Sequence, residues 1–287
     1  MPVATAASTH FAGRLSHRSE PRRRNASDLN TPLGDSRRAF PWTTAVIWTA
    51  ALAGWLLLLW GATNMSSPLA QLMMPITPAW SLANWLAVFA MWSVMMAAMM
   101  LPSATPIVLT FAALNRKRGE DARSLSFVAG YLVLWTAFGA MAVTAQWALQ
   151  SVGLLSPMIV SNSAWLSGAL LFIAGVFQFT PLKHACLRAC RSPLGFLMSE
   201  WQEGLVGAWR MGIRHGLYCL GCCWALMALL FVGGVMNILW IAALAALVAI
   251  EKLAPKGAQI AQVLGFLLIG AGILTLANLT GLAGLGL

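Results

Sequence analysis

Charge is what this chain has least of. Asp, Glu, Lys and Arg make up 9% of its 287 residues, against about 25% in soluble domains. So few ionised groups cannot clothe a surface that faces water, and a soluble globular protein is excluded. Acids are the scarcer sign, 8 against 18 Lys and Arg. Missing too are a Walker loop, GxSxG, HExxH and a dinucleotide fingerprint, which leaves ATP-driven transport and hydrolase chemistry without support, and no enzymatic activity is expected. Cysteine is absent before Cys186 and after Cys223. No aromatic or glycine pattern of an RNA-binding module accompanies the net charge of +10, so the positive excess points to anionic lipid and to no nucleic acid.

In place of charge the chain has 59% hydrophobic residues, spread over seven runs: Trp42 to Ala62, Trp80 to Leu101 with an extension toward Leu114, Leu125 to Gln150, Asn162 to Thr180, Gly216 to Val235, Asn237 to Ile250, and Ala258 to Thr280. A helix needs about 20 apolar residues to cross a bilayer core. The expected architecture is therefore an all-α, polytopic transmembrane helical bundle of about seven spans over residues 41–287, preceded by a disordered basic arm over residues 1–40. The 18 basic residues fall in four segments, seven in the arm, four from Arg116 to Arg123, five from Lys183 to Arg214, and Lys252 with Lys256. Neighbouring segments are two spans apart, so all four can face one side, and retention of Lys and Arg in the cytoplasm puts the N-terminus inside.

Three details refine this layout. Asn237 to Ile250 is short, about 21 Å by helical rise, and is expected to rely on snorkelling of Glu251 and Lys252 as an interfacial pair. Leu194 to Arg214, with Trp201 and Trp209, mixes apolar and charged residues and suits the interface plane. Small residues four apart, Ala261 with Gly265 and Ala277 with Gly281, mark a close-packing face on the last helix.

The five cysteines are the main chemical signal. If Cys186 to Arg191 is helical, Cys186 and Cys190 sit one turn apart. On the fifth span Cys219 and Cys222 lie about 60° apart, and Cys223 follows one turn after Cys219. The layout puts Cys219, Cys222 and Cys223 in the first two turns of that span, on the same cytoplasmic side as the loop pair, where thiols stay reduced. Four sulfurs suit Zn(II), and fewer suit Cu(I). His184 or His215 can replace one, although His215 stands about 10 Å from Cys222 along the axis. Apolar packing of small thiols is the competing explanation.

MWSVMMAAMMLP, residues 91–102, adds a second soft cluster. Met91, Met95 and Met99 form one stripe and Met96 with Met100 another. Thioethers can ligate Cu(I) inside a bilayer, though methionine is also an ordinary core filler. Pro102 and Pro106 are expected to end or kink this helix, with Ser103 and Thr105 refilling the hydrogen bond that Ala98 loses.

Four blocks, MWSVMMAAMMLPSATP, FQFTPLKHACLRACRSP, RHGLYCLGCCWALM and MNILWIAALAALVAIEKLAP, together resemble a bacterial family of predicted metal-binding integral membrane proteins, a domain of unknown function. The resemblance runs from about Asn84 to Lys256. It implies a multi-pass protein of the bacterial inner membrane that binds metal through Cys186, Cys190, Cys219, Cys222 and Cys223 and the methionines Met95, Met96, Met99 and Met100. The family carries Tyr before the Gln of the TPLK block, where this chain has Phe177, and no phenol acts there.

The leading expectation is a protein that binds a soft transition metal, copper favoured and zinc possible, through cytoplasm-facing cysteines, in transport or delivery. Its expected partners are the lipid bilayer, the metal ion, and a further membrane or metallochaperone partner. One alternative is a thiol redox protein built on Cys219-Leu-Gly-Cys222 at a helix start, where the dipole favours a thiolate. Another is an assembly subunit whose sulfurs only pack.

Overall fold

The computed structural model describes residues 41–77, 79–116 and 121–279. The basic arm over residues 1–40 lies outside the described residues. Eleven helices follow in order: α1 (Pro41–Thr63), α2 (Pro68–Met73), α3 (Leu82–Arg116), α4 (Asp121–Ser151), α5 (Ala164–Phe177), α6 (Pro181–Arg191), α7 (Pro193–Glu200), α8 (Gly204–Ala228), α9 (Leu230–Gly233), α10 (Ile238–Leu253) and α11 (Gly257–Leu279). No strand occurs among the described residues, which show only an isolated bridge between Leu155 and Ser161. The described residues are all-helical, as the apolar runs lead one to expect.

Five stretches are long and apolar enough to cross a membrane: Thr44–Thr63, Leu82–Asn115, Ala122–Ser151, Gly204–Gly233 and Gly257–Ala277. Of the fourth expected span, Asn162 to Thr180, the helix covers only Ala164–Phe177, and the segment Pro181–Arg191, expected as loop, follows as a second helix bent from it by 65°; the two bring the count to six if taken together. The break has a local cause, since Pro181 opens α6 and the Thr180 side chain accepts from the Lys183 amide as an N-cap, which starts a new helix instead of extending the old one. The expected sixth span is α10, whose 16 residues reach about 24 Å. It falls short of the five stretches long and apolar enough to cross a membrane.

Two further expectations change. Pro102 and Pro106 both lie inside α3, which continues to Arg116. The hydroxyls nearby do not serve Ala98: Ser103 donates to the Met100 carbonyl at 2.9 Å and Thr105 to that of Leu101 at 3.3 Å. The second change concerns the segment assigned to the interface plane. Only α7 and the turn after it are separate, because α8 begins at Gly204, at φ +75°, and runs unbroken into the cysteines. Glycine spacing explains it. A Cβ at Gly212 would collide with the Phe127 carbonyl and one at Gly130 with the Trp209 carbonyl, so α4 and α8 lie backbone against backbone. That contact outweighs the charges of the segment, which turn outward: Arg214 is exposed and pairs with Glu200.

The last helix packs closely at Gly265, as expected, and also at Gly272. A Cβ at Gly175 would come within 2.8 Å of the Gly265 carbonyl, and one at Gly272 within 2.9 Å of the Gly168 carbonyl. Ala261 is buried, and Gly281 lies outside the described residues. The core centres on α3, where Trp92, Met95, Met96, Met100, Ile107 and Phe111 are fully enclosed. Away from it the helices stay apolar: Trp48, Leu52, Leu56 and Trp60 of α1 and Val263, Phe266, Leu267 and Leu274 of α11 are exposed.

These contacts predict that Gly212→Val, by forcing α4 and α8 apart, will lower stability by about 1–3 kcal/mol or more, read as a fall in the unfolding temperature of the detergent-solubilised chain. Gly270→Ala is the control, since nothing lies within 4 Å of a Cβ there and alanine favours the helix. It should leave that temperature unchanged or raised.

Candidate metal centre

Two helices remote in sequence carry the sulfurs, and the fold lays them together. On α6, Cys186 places its Sγ over Gly221 of α8, where an added Cβ would come within 2.7 Å of it. One turn on, the Cys190 thiol lies in the electrostatic neighbourhood of Cys219 and Cys222. Cys223, one turn after Cys219, joins the same group. All five cysteines are free thiols.

Cys219 is the hub. Its Sγ lies 2.9 Å from Lys252 Nζ and 3.1 Å from the Tyr131 hydroxyl. Its carbonyl accepts from the thiols of Cys222 at 3.1 Å and Cys223 at 3.0 Å. The same Lys252 ammonium donates to Ser103 Oγ at 3.3 Å, and the Tyr131 hydroxyl reaches the Met100 carbonyl at 3.3 Å. Residues of α3, α4, α6, α8 and α10 thus meet around one sulfur. The place is dry, with Tyr131, Cys219, Cys222 and Cys223 each 1% exposed.

The arm that brings Cys190 is fastened by ions. Lys183 Nζ of α6 binds Glu251 Oε2 of α10 at 2.6 Å, with both side chains buried. At the other end of α6, Arg191 donates to the carbonyls of Glu251 at 3.0 Å and Pro255 at 2.8 Å, which closes the C-terminus of α10. The expected interfacial pair of Glu251 with Lys252 is therefore replaced. Both residues turn into the bundle and serve different partners, because neighbours on a helix point about 100° apart and cannot face each other.

The remaining candidates are placed less centrally. His215, one turn before Cys219, is buried against Tyr131 with ring centroids 5.8 Å apart, and its Nδ1 has no partner among the described residues. His184 is half-buried in the first turn of α6 and makes no side-chain hydrogen bond among the described residues. Met91, Met95, Met96, Met99 and Met100 are all buried in α3. The block reaches the cysteine cluster through the Met100 backbone, and at its other end Met91 lines a cavity of about 300 Å³ with Met73 and Met236.

As to fit, no group of three or more His, Cys, Asp or Glu is set out to hold an ion among the described residues. A closed four-ligand zinc shell is thus not assembled among the described residues, whereas neighbouring thiols from two helices suit an ion that takes two soft ligands. The redox alternative loses its premise. Cys219 stands about 22 Å along α8 from its start at Gly204, in the middle turns and not the first two, where the helix N-terminus no longer favours a thiolate.

Residues 89–275 match the PpoB2 family model, described as a copper chaperone. The chain belongs to this copper-chaperone family. The matched region begins within α3 ahead of the methionine block and extends into α11, so it holds every cysteine and each of their partners. A metal-related family is thus found, as the four sequence blocks implied. No curated protein and no solved structure matches the chain.

Sequence reasoning missed Tyr131 and the partners of Lys183 and Lys252. Scarcity was a usable signal for all three. The chain has only 2 Tyr, and a lysine at the end of an apolar run in a bundle this poor in charge calls for a partner.

The ion pair gives a test of the arm. Glu251→Leu leaves Lys183 buried and unpaired and should cost about 3–5 kcal/mol, whereas adding Lys183→Met should restore most of the loss. Thermal unfolding of the parent, the two single variants and the double variant measures it.

Proposed function

We propose that this chain is a membrane-embedded copper-handling protein, without enzymatic activity, that takes Cu(I) as cargo at the cysteine cluster and passes it on. The observation that carries the reading is the convergence of α6 and α8 on one group of thiols, with Cys186 Sγ against Gly221 and Cys190 neighbouring Cys219 and Cys222. Two segments far apart in sequence have no packing need to match sulfur with sulfur, and a soft monovalent ion is what paired thiols bind best. Membership of a copper-chaperone family supports it.

The bilayer follows from solvent accounting. Helices such as α1 and α11, apolar on the faces they expose, are stable only where the solvent is hydrocarbon. The basic residues Lys183, Arg188, Arg191, Arg210 and Arg214 lie on the helices that carry the cysteines, with Lys256 in the turn after α10, and the retention of positive loops supports a cytoplasmic location for this end of the bundle. The methionines of α3, buried and uncharged, offer weak soft ligands between the cluster and the cavity at Met91.

The test is copper content. The full chain, loaded with Cu(I) under reducing conditions and freed of excess, should hold about one ion per molecule. Cys190→Ser, Cys219→Ser and Cys222→Ser should each weaken binding at least ~10-fold. Equal copper in the parent and in the triple serine variant would show that the sulfurs only pack.

A further inference from the structure

The cluster contains an ammonium group that no carboxylate neutralises among the described residues. Four charged side chains are buried among the described residues: Arg123, Lys183, Glu251 and Lys252. Arg123 pairs with Glu203 at 2.9 Å, and Lys183 with Glu251 at 2.6 Å. Lys252 has no carboxylate within ion-pair distance among the described residues. Its Nζ touches one hydroxyl, that of Ser103, and one sulfur, that of Cys219. An ammonium held away from water without an anion is strongly unfavourable. A sulfur beside it is the natural place for the missing negative charge.

We propose that Lys252 is the built-in counter-cation of an anionic bis-thiolate complex, and that its single charge selects a monovalent soft ion over a divalent one. This rests on the reading of the cluster as a metal site. In the binding step Cys219 and a second thiol, from Cys190 or Cys222, each form a bond from sulfur to the ion and each release a proton to solvent. No electron moves. A monovalent ion between two thiolates leaves a complex of charge −1, and the ammonium brings the buried total to zero. A divalent ion in the same place leaves a neutral complex and strands the charge on Lys252. In a medium of low dielectric constant that difference of one charge is a large energy. Ser103 holds the ammonium in place, and its own hydroxyl is anchored to the Met100 carbonyl at 2.9 Å. Lys252 is in this sense a positioning and selectivity residue, acting through Cys219 without ligating the ion.

Ag(I) and Hg(II) separate charge from structure, because both take two thiolates in a line and differ by one unit of charge. Their affinities for the full reduced chain in detergent are measured by competition with a small dithiol, for the parent, Lys252→Arg and Lys252→Met. The expected result is that Lys252→Met lowers the affinity for Ag(I) at least ~10-fold relative to Hg(II), while Lys252→Arg keeps the parent ratio. Equal loss for both ions, or no loss, overturns the inference and leaves the metal site standing. A parent chain that binds neither ion overturns the site and the inference together. If Lys252→Met does not fold, Ser103→Ala, which withdraws only the oxygen holding Nζ, should move the ratio the same way by a smaller factor, and an unmoved ratio is equally fatal.

Discussion

The ion pair between Lys183 and Glu251 is the contact on which the arrangement of the site depends. A short helix bent by 65° from its predecessor has little apolar area of its own to hold it. α6 carries Lys183, Arg188 and Arg191 among its 11 residues, and would stay at the surface if nothing inside attracted it. Glu251 supplies that attraction from the end of α10, and Arg191 adds a second fastening on the same turn. With α6 so held, Cys186 falls over Gly221 and Cys190 neighbours Cys219 and Cys222 without further help. Buried pairs contribute little net stability but are costly to break, which makes this one better suited to fixing position than to holding the fold together.

A second constraint acts beneath the first. Cys219 faces Tyr131 because α8 lies close against α4, a closeness that Gly130, Gly212 and Gly216 allow by lacking side chains. The spacing brings the hydroxyl of α4 within 3.1 Å of the sulfur. Small residues thus act here at a distance, by setting how far polar groups on larger neighbours must reach.

Much of this was visible before any coordinates. The helices α3, α4 and α11 match continuous apolar runs, because a buried or lipid-facing helix leaves an unmistakable composition. The cysteine cluster was visible through its confinement to residues 186–223. What was not visible involved pairs. Glu251 and Lys252 look like partners because they are adjacent, yet the helix sends them to Lys183 and Cys219, and only a tertiary structure names such distant partners. Residues 204–214 look interfacial because of Arg210 and Arg214, while the glycines that draw them into α8 mark a contact whose other half lies on α4. Tyr131 carries no local pattern at all.

The cysteine residues differ in exposure, and on the copper reading this sets an order of events. Cys186, Cys219, Cys222 and Cys223 are buried, while Cys190 alone remains partly open. A visiting thiol therefore meets the rim before the interior, and on the copper reading cargo would change hands there by stepwise ligand exchange, one sulfur displacing the next so that the ion is never released into water.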